Sequence, residues 1–178
     1  MATLQEIVDR AIDIAAGAID GPLQNADMLA QSLLPTALHM ETTRSALDPY
    51  TRTLFRRALT ISITNNVGNF PDEALTAYAC TADVIDENGD NAGYSHYNTF
   101  LRSPDPRMAH WAVRQGTEIH YLPVGGGAYS NDIEVTIPCV PEIPALATDQ
   151  IVMPEEAVDG VVETLARLLV GAYKGALG

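Results

Sequence analysis

The hydrophobic period of this chain changes twice. Leu4, Ile7, Val8, Ala11, Ile14, Ala15 and Ala18 recur at helical spacing. From Leu59 to Thr64 apolar and polar residues alternate with β-branching, and from Val158 the helical spacing returns through Val161, Val162, Leu165, Leu168, Leu169 and Ala172. A period of about 3.6 and a period of two place different residues on the buried face, so one element cannot satisfy both. The chain is therefore expected to carry helices at its ends and strands between them. The fold class that follows is α+β: N-terminal helices and a C-terminal helix packed beside an antiparallel β-domain of about six strands, a sandwich or a bent sheet. The expected parts are a helical section over 1–57, the β-domain over 58–145, and a C-terminal helix within 146–178 that packs back on the first helices.

Local signals sharpen these spans. Thr3-Leu-Gln-Glu6 is a capping box, and Gly21-Pro22 ends the first helix. A second helix is expected from about Ala26 to Ala46, with a break or kink near Pro35. Asp48-Pro49 reads as an N-cap followed by Pro at the first helical position, which predicts a short helix through Phe55. Strands are expected at 59–64, 77–85, 93–97, 111–114, 118–122 and 132–137, with 65–71 as a loop. Gln115-Gly116 sits between two of them as a hairpin turn. Met153-Pro-Glu-Glu156 opens the last helix, its acids at the positive end of the helix dipole. Three helical stretches carry more apolar surface than one small sheet can cover, so neighbouring subunits are expected to cover the rest.

The stretch Asp86-Glu-Asn-Gly-Asp-Asn-Ala-Gly93 resembles a calcium loop at first sight. Asp86, Asn88 and Asp90 fit its first, third and fifth positions, but Asn91 stands where the sharp turn needs Gly, and Tyr97 where a bidentate Glu is required. The flanks are strand formers, and Asn88-Gly89 suits the positive-φ centre of a hairpin. A turn is expected here, and no calcium or transition-metal site.

No nucleophile elbow, P-loop, dinucleotide fingerprint or zinc-protease motif is present. Gly125-Gly-Gly127 lacks a following Lys or helix start and reads as a loop tip. His39, His96, His110 and His120 share no spacing that sets two on one face, and His120 is expected to face solvent or an interface, opposite Ile119 and Tyr121. Cys80 and Cys139 form no C-x-x-C and are expected as buried thiols, with a Cys80–His dyad left open. The expected cofactor is none, and the expected class is non-enzymatic.

Net charge is −13, from 23 acids against 10 bases, nine of them Arg. That disfavours a protein that grips nucleic acid, but not one that surrounds DNA. No apolar run spans a membrane, and the first residues lack the pattern of a secretory signal. Arg44, Arg52, Arg56 and Arg57 gather four of the ten bases within fourteen residues. They form either a solvated helix face or a basic patch that docks on the acids of another copy. Phe100-Leu-Arg-Ser-Pro-Asp-Pro-Arg107 reads as a stiff arm, so Phe100, Leu101 and Arg107 join the candidate interface.

The helical N-terminus is followed by Asn69-Phe-Pro-Asp-Glu-Ala-Leu75, which leads into a strand and hairpin. Ile137-Pro-Cys-Val-Pro-Glu-Ile-Pro144 and the closing helix from Met153-Pro-Glu-Glu156 complete a layout that resembles the neck, or head-to-tail connector, proteins of tailed bacteriophages, such as adaptor and stopper rings. That resemblance implies a virion subunit that closes into a homo-oligomeric ring around the DNA channel, between portal and tail components. It carries no catalytic residue across. The alternative from another class is a small intracellular hydrolase or ligand-binding protein with its pocket in the β-domain.

Overall fold

The computed structural model describes residues 2–102, 105–114 and 116–176. In chain order the elements are α1 (Leu4–Ala16), α2 (Ala26–Leu47), β1 (Arg56–Ser62), β2 (Val67–Asn69), a 3₁₀ helix (Thr76–Thr81), β3 (Asp83–Asp86) and β4 (Asn91–Tyr94). They continue with α3 (Tyr97–Phe100), β5 (Ala109–Arg114), β6 (Glu118–Leu122), β7 (Asp132–Pro138) and α4 (Glu155–Ala176). The protein is α+β, and its chain divides into two compact units. One is built from both chain ends, Met1–Phe55 with Val140–Gly178; the other is the single segment Arg56–Cys139.

The helical unit packs α4 against α1 and α2. Its core takes Ile7, Val8 and Ala11 from α1, Leu34, Ala37 and Leu38 from α2, and Val161, Leu165 and Leu169 from α4. The capping box forms: the Glu6 N–H donates to Thr3 Oγ1 at 3.1 Å and the Thr3 N–H to Glu6 Oε2 at 2.8 Å. Those bonds hold the Glu6 carboxyl below its usual range. α1 stops at Ala16, several residues before Gly21-Pro22. α2 runs through Pro35 as one helix, with Pro35 on an exposed position. The short helix expected after Asp48 is instead a run of turns. Asp48 Oδ1 does accept the Tyr50 N–H at 2.9 Å, as a cap would, but the residues behind it do not go on into a helix.

The β unit is one sheet in the order β1-β7-β3-β4-β5-β6-β2. Seven strands replace the expected six, because β2 lies inside the stretch read as a loop; its three residues are too short to show alternation. The sheet is mixed rather than antiparallel. Five strand pairs are antiparallel, but β4 and β5 run parallel, joined by a crossover that contains α3. The edges β1 and β2 meet at a bridge between Thr64 and Val67, so the sheet nearly closes into a barrel. Gly68 permits that approach: a Cβ there would stand 2.8 Å from both Ser62 O and Ile63 Cδ1. Residues 77–81, expected in a strand, form the 3₁₀ helix, and Tyr97 opens α3.

Inside the barrel, Trp111, Tyr121, Ile119, Ile133, Val135 and Ile137 are fully buried. The Trp111 ring packs edge-on to Tyr94 and tilted to Phe70, with centroids 5.1 and 6.4 Å away. Cys139 joins this core, and burial pushes its thiol up to about 11. Cys80, expected to be buried, is exposed on the 3₁₀ helix.

Candidate functional site

The residues singled out for an interface fall on both units. In the helical unit, Arg44 extends from α2 beside Glu41, and its Nη2 donates to Glu41 Oε2 at 2.8 Å. Glu41 itself is buried; its other oxygen accepts the Thr164 hydroxyl from α4. A buried carboxylate needs such partners, since leaving it unpaired costs far more than the pair gains. Arg44 thus has an intramolecular role while its side chain stays 64% exposed. Arg52, in the turns after α2, is exposed.

Arg56 and Arg57 belong to β1. The Arg56 side chain is only 15% exposed and lies along the sheet. Its Nη2 reaches Thr136 O at 2.7 Å, Thr81 O at 2.9 Å and Asp83 Oδ2 at 2.9 Å, tying β1 to β7 and to the start of β3. Those contacts make Arg56 a strut within its own unit. Arg57 points outward and is exposed.

Phe100, at the end of α3, is half-buried. Tyr97 and Phe100 cover His120 on β6, with ring centroids 4.8 and 6.1 Å from the imidazole. His120 was expected to face solvent or an interface; α3 covers it instead. Its Nε2–H donates to Glu118 Oε1 at 2.6 Å, and Arg114 Nη1 reaches the same oxygen at 3.4 Å while lying over the Tyr97 ring. The His120 bond is the main reason the Glu118 carboxyl is held below its usual range. No sequence spacing revealed this cluster, because α3 comes from the crossover between parallel strands.

Leu101 and Arg107 are exposed beyond α3; Ser103 and Pro104 of the same arm, like Gln115 of the β5–β6 turn, lie outside the described residues. The arm's return is pinned. The Asp105 side chain accepts the Arg107 N–H at 3.0 Å, His110 Nε2 is 3.0 Å from Asp105 O, and the Gly125 N–H donates to Pro106 O at 2.8 Å. The last bond joins the arm to the Gly125–Gly127 loop, where Gly125 and Gly126 take positive φ. The β5–β6 ladder pairs His110 with Leu122. Met108 and Val124, just beyond the ends of the two strands, are both exposed. Neither residue stood out in the sequence, because a single exposed apolar residue beside a strand end has no local signature.

The stretch 86–93 forms the β3–β4 hairpin. Asp86 Oδ1 accepts the N–H groups of Asn88 and Asp90 at 2.9 Å, and Oδ2 accepts the Tyr121 hydroxyl at 3.0 Å. Burial pushes the Asp86 carboxyl up, but these bonds outweigh it and the group sits below its usual range. Only Gly89 of the Asn88-Gly89 pair takes a positive φ, at 83°. The Asp86 oxygens thus serve the turn.

Among the described residues no group of three or more His, Cys, Asp or Glu lies together as metal ligands would, and no helix is long and apolar enough to cross a membrane. The grooves of the helical unit are lined by α1 with α4, and by α1 with the segment that leads into α2. No family model matches the chain, and no curated protein matches it either.

Proposed function

We propose that the chain is a non-enzymatic structural subunit of a tailed-phage virion, a neck or adaptor component that closes into a ring around the DNA channel between portal and tail. The observation that carries this reading is the apolar surface turned outward on both units. Met28, Met40, Leu47 and Tyr50 are exposed along α2 and the turn after it, Leu146 and Val152 ahead of α4, and Leu101, Met108 and Val124 on the β unit. Met40 and Leu47 are seven residues apart and share one face of α2. Apolar exposure repeated over several elements suits a protein whose surface is completed by other copies. Arg44, Arg52, Arg57, Leu101 and Arg107 are the expected interface residues that remain exposed for such contacts.

Charge supports the same reading. The helical unit carries thirteen acids against five bases and the β unit ten against five. A ring with acidic walls repels the DNA backbone, so the nucleic acid passes through without being held. Mass spectrometry and averaged images of purified particles test the proposal. The expected result is this chain in multiple symmetric copies at the neck. A chain that never enters a particle and turns over a small substrate as a monomer overturns it in favour of a hydrolase.

A further inference from the structure

The long helices of the helical unit differ in what they turn outward. The exposed faces of α1 and α4 are charged, with Asp9, Arg10 and Asp13 on the one and Asp159, Glu163 and Arg167 on the other. α2 is different. Its outward stripe runs from Met28 to Leu47 at helical spacing, over about five turns, and contains no Asp, Glu, Lys or Arg. The three charged residues of the helix lie off it: Asp27 lines the groove with Asp9 and Asp13, Glu41 is buried, and Arg44 is paired with Glu41. An uncharged face of that length departs from the rest of a chain whose net charge is −13. Interface centres are depleted of Asp, Glu and Lys and enriched in Met.

The order of residues along the stripe says what covers it. In an antiparallel helix pair, residues equally far on either side of the centre lie opposite one another. About the point midway between Ala37 and Leu38, Met28 falls opposite Leu47 and Pro35 opposite Met40, while Ser32 falls opposite Thr43 and Thr36 opposite His39. Apolar residues meet apolar ones, and polar residues meet polar ones. A stripe that is its own complement when reversed meets the requirement of a two-fold contact, in which one patch serves both sides.

We infer that α2 is a homodimer face, on which a second copy of this chain docks its own α2 antiparallel about a two-fold axis between Ala37 and Leu38. Charge selects this occupant. Two copies that each carry −13 approach most favourably where neither presents an acid, whereas a nucleic acid or a basic peptide finds no counter-charge on the stripe. Pro35 acquires a use as well. It costs the helix a backbone hydrogen bond and is exposed within its own copy, but its ring lies against Met40 of the second copy. A strip about 33 Å long and about 10 Å wide on each copy falls short of the roughly 1,000 Å² of a stable interface, so the pairing is reversible and depends on concentration. The inference goes beyond the ring reading and does not rest on it. A two-fold contact joins copies in pairs and leaves Leu101, Met108 and Val124 of the β unit for head-to-tail contacts.

Sedimentation velocity of the full chain, from micromolar to millimolar concentration, tests the pairing. The wild type is expected to pass from monomer to dimer, and Met40→Glu to weaken the dimer about tenfold or more, because it buries a charge against Pro35 of the second copy. Met40 and Met108 are both half exposed, so either accepts Glu without disturbing a core, and Met108→Glu on the β unit is expected to leave the dimer unchanged. Disulfide trapping reads the register. Met28 and Leu47 are 74% and 68% exposed, and both are changed to Cys in a Cys80→Ser background, because Cys80 is exposed. In the two-fold pair each new cysteine meets the other kind, so mild oxidation stops at a dimer closed by two disulfides. Neither single variant links to itself, since like positions lie about 28 Å apart along the helices. A wild type that stays monomeric throughout, a dimer indifferent to Met40→Glu, or a double variant that runs as a ladder of higher oligomers overturns the inference. Self-linking of Met28→Cys shows parallel pairing and overturns it too. The particle measurement is read separately: symmetric copies at the neck without an α2 dimer leave the ring reading standing, and an α2 dimer absent from particles removes only that reading.

Discussion

The two units solve the same problem by opposite means. The helical unit joins chain segments more than eighty residues apart, chiefly by apolar side-chain packing, with a buried contact from Glu41 to Thr164 and backbone bonds between residues 2–5 and 147–151. The β unit is one continuous segment held by strand ladders, and its polar groups are woven into the fold: Asp86 under Tyr121, and Arg56 across β1, β7 and the start of β3. Continuity means that the β unit carries all of its partners with it. The helical unit does not, because α1 and α2 find their main partner only in α4.

The largest expected effect follows from that contrast. Residues 1–55 alone lose the α4 face that covers Ile7, Leu34 and Leu38, and isolated helices of this length are marginal in water. The fragment is expected to lose most of its helical circular dichroism and to melt without a cooperative transition. Residues 56–139 alone are expected to unfold cooperatively, reported by Trp111, the only tryptophan of the chain. Cooperative folding of 1–55, or a flat melt for 56–139, breaks the comparison.

A second test sharpens it at Asp86. The carboxyl is held below its usual range in the folded protein, so the stability it supplies is fully present above the unfolded value of 3.8 and is lost as pH falls through the lower folded value. Asp86→Ala removes acceptors from two backbone N–H groups and the Tyr121 hydroxyl, at a cost of about 2–3 kcal/mol near neutral pH. Urea unfolding followed by Trp111 fluorescence should show that loss shrinking below about pH 4. A penalty that stays constant into acid would mean that the hairpin, rather than the charge, holds the site together.

What was legible in the sequence divides along the same line. Helices announce themselves locally. The stripe Val158–Val161–Leu165–Leu169 predicted which face of α4 is buried, and the Thr3–Glu6 spacing predicted the capping box of α1. The long strands were legible by alternation, and the Asn88-Gly89 turn by its chemistry. The parallel β4–β5 pair was not, because strand partnership across a crossover depends on topology rather than on any local pattern. β2 escaped for want of length, and its place is secured by Gly68 against β1, a contact visible only in three dimensions. The same limit applies to the candidate surface. The arginines clustered in sequence, Arg44 to Arg57, are spread over two units, with Arg56 spent inside one.

Gly160 probes the buried polar contact between α2 and α4. A methyl there would stand 2.9 Å from Glu41 Oε2 and 3.4 Å from Arg44 Nη2. Ala is about 1 kcal/mol better than Gly in a helix interior. The carboxylate cannot swing away without leaving Thr164 and Arg44, so the overpacking is expected to win and Gly160→Ala to destabilise by about 1–2 kcal/mol. With Glu41→Ala already in place the clash is gone, and the same change should become stabilising. A double-mutant cycle by chemical denaturation, followed at 222 nm, reads this reversal of sign. Additivity would show that Glu41 yields easily.

The smallest effect concerns the capping box, and it separates local from global stability. Thr3→Ala removes the acceptor of the Glu6 N–H and leaves the reciprocal bond from the Thr3-position N–H to Glu6 Oε2 unsupported. Loss of an N-cap costs about 1 kcal/mol. The first turn of α1 is also tied down from elsewhere in its unit, since the Leu4 and Gln5 N–H groups donate to Asp149 O at 3.1 Å and Ala147 O at 3.0 Å. Those two bonds keep the segment 147–150 against the start of the helix, so fraying there should loosen that segment as well. Amide exchange is expected to accelerate several-fold at Glu6 and Ile7 and at Ile151, whose N–H donates to Ala2 O at 3.2 Å, while the amides of β5 and β7 keep their rates. Equal acceleration in both units would mean that the cap supports the whole chain, and the contrast between a helical unit closed at its ends and a self-contained sheet would not survive it.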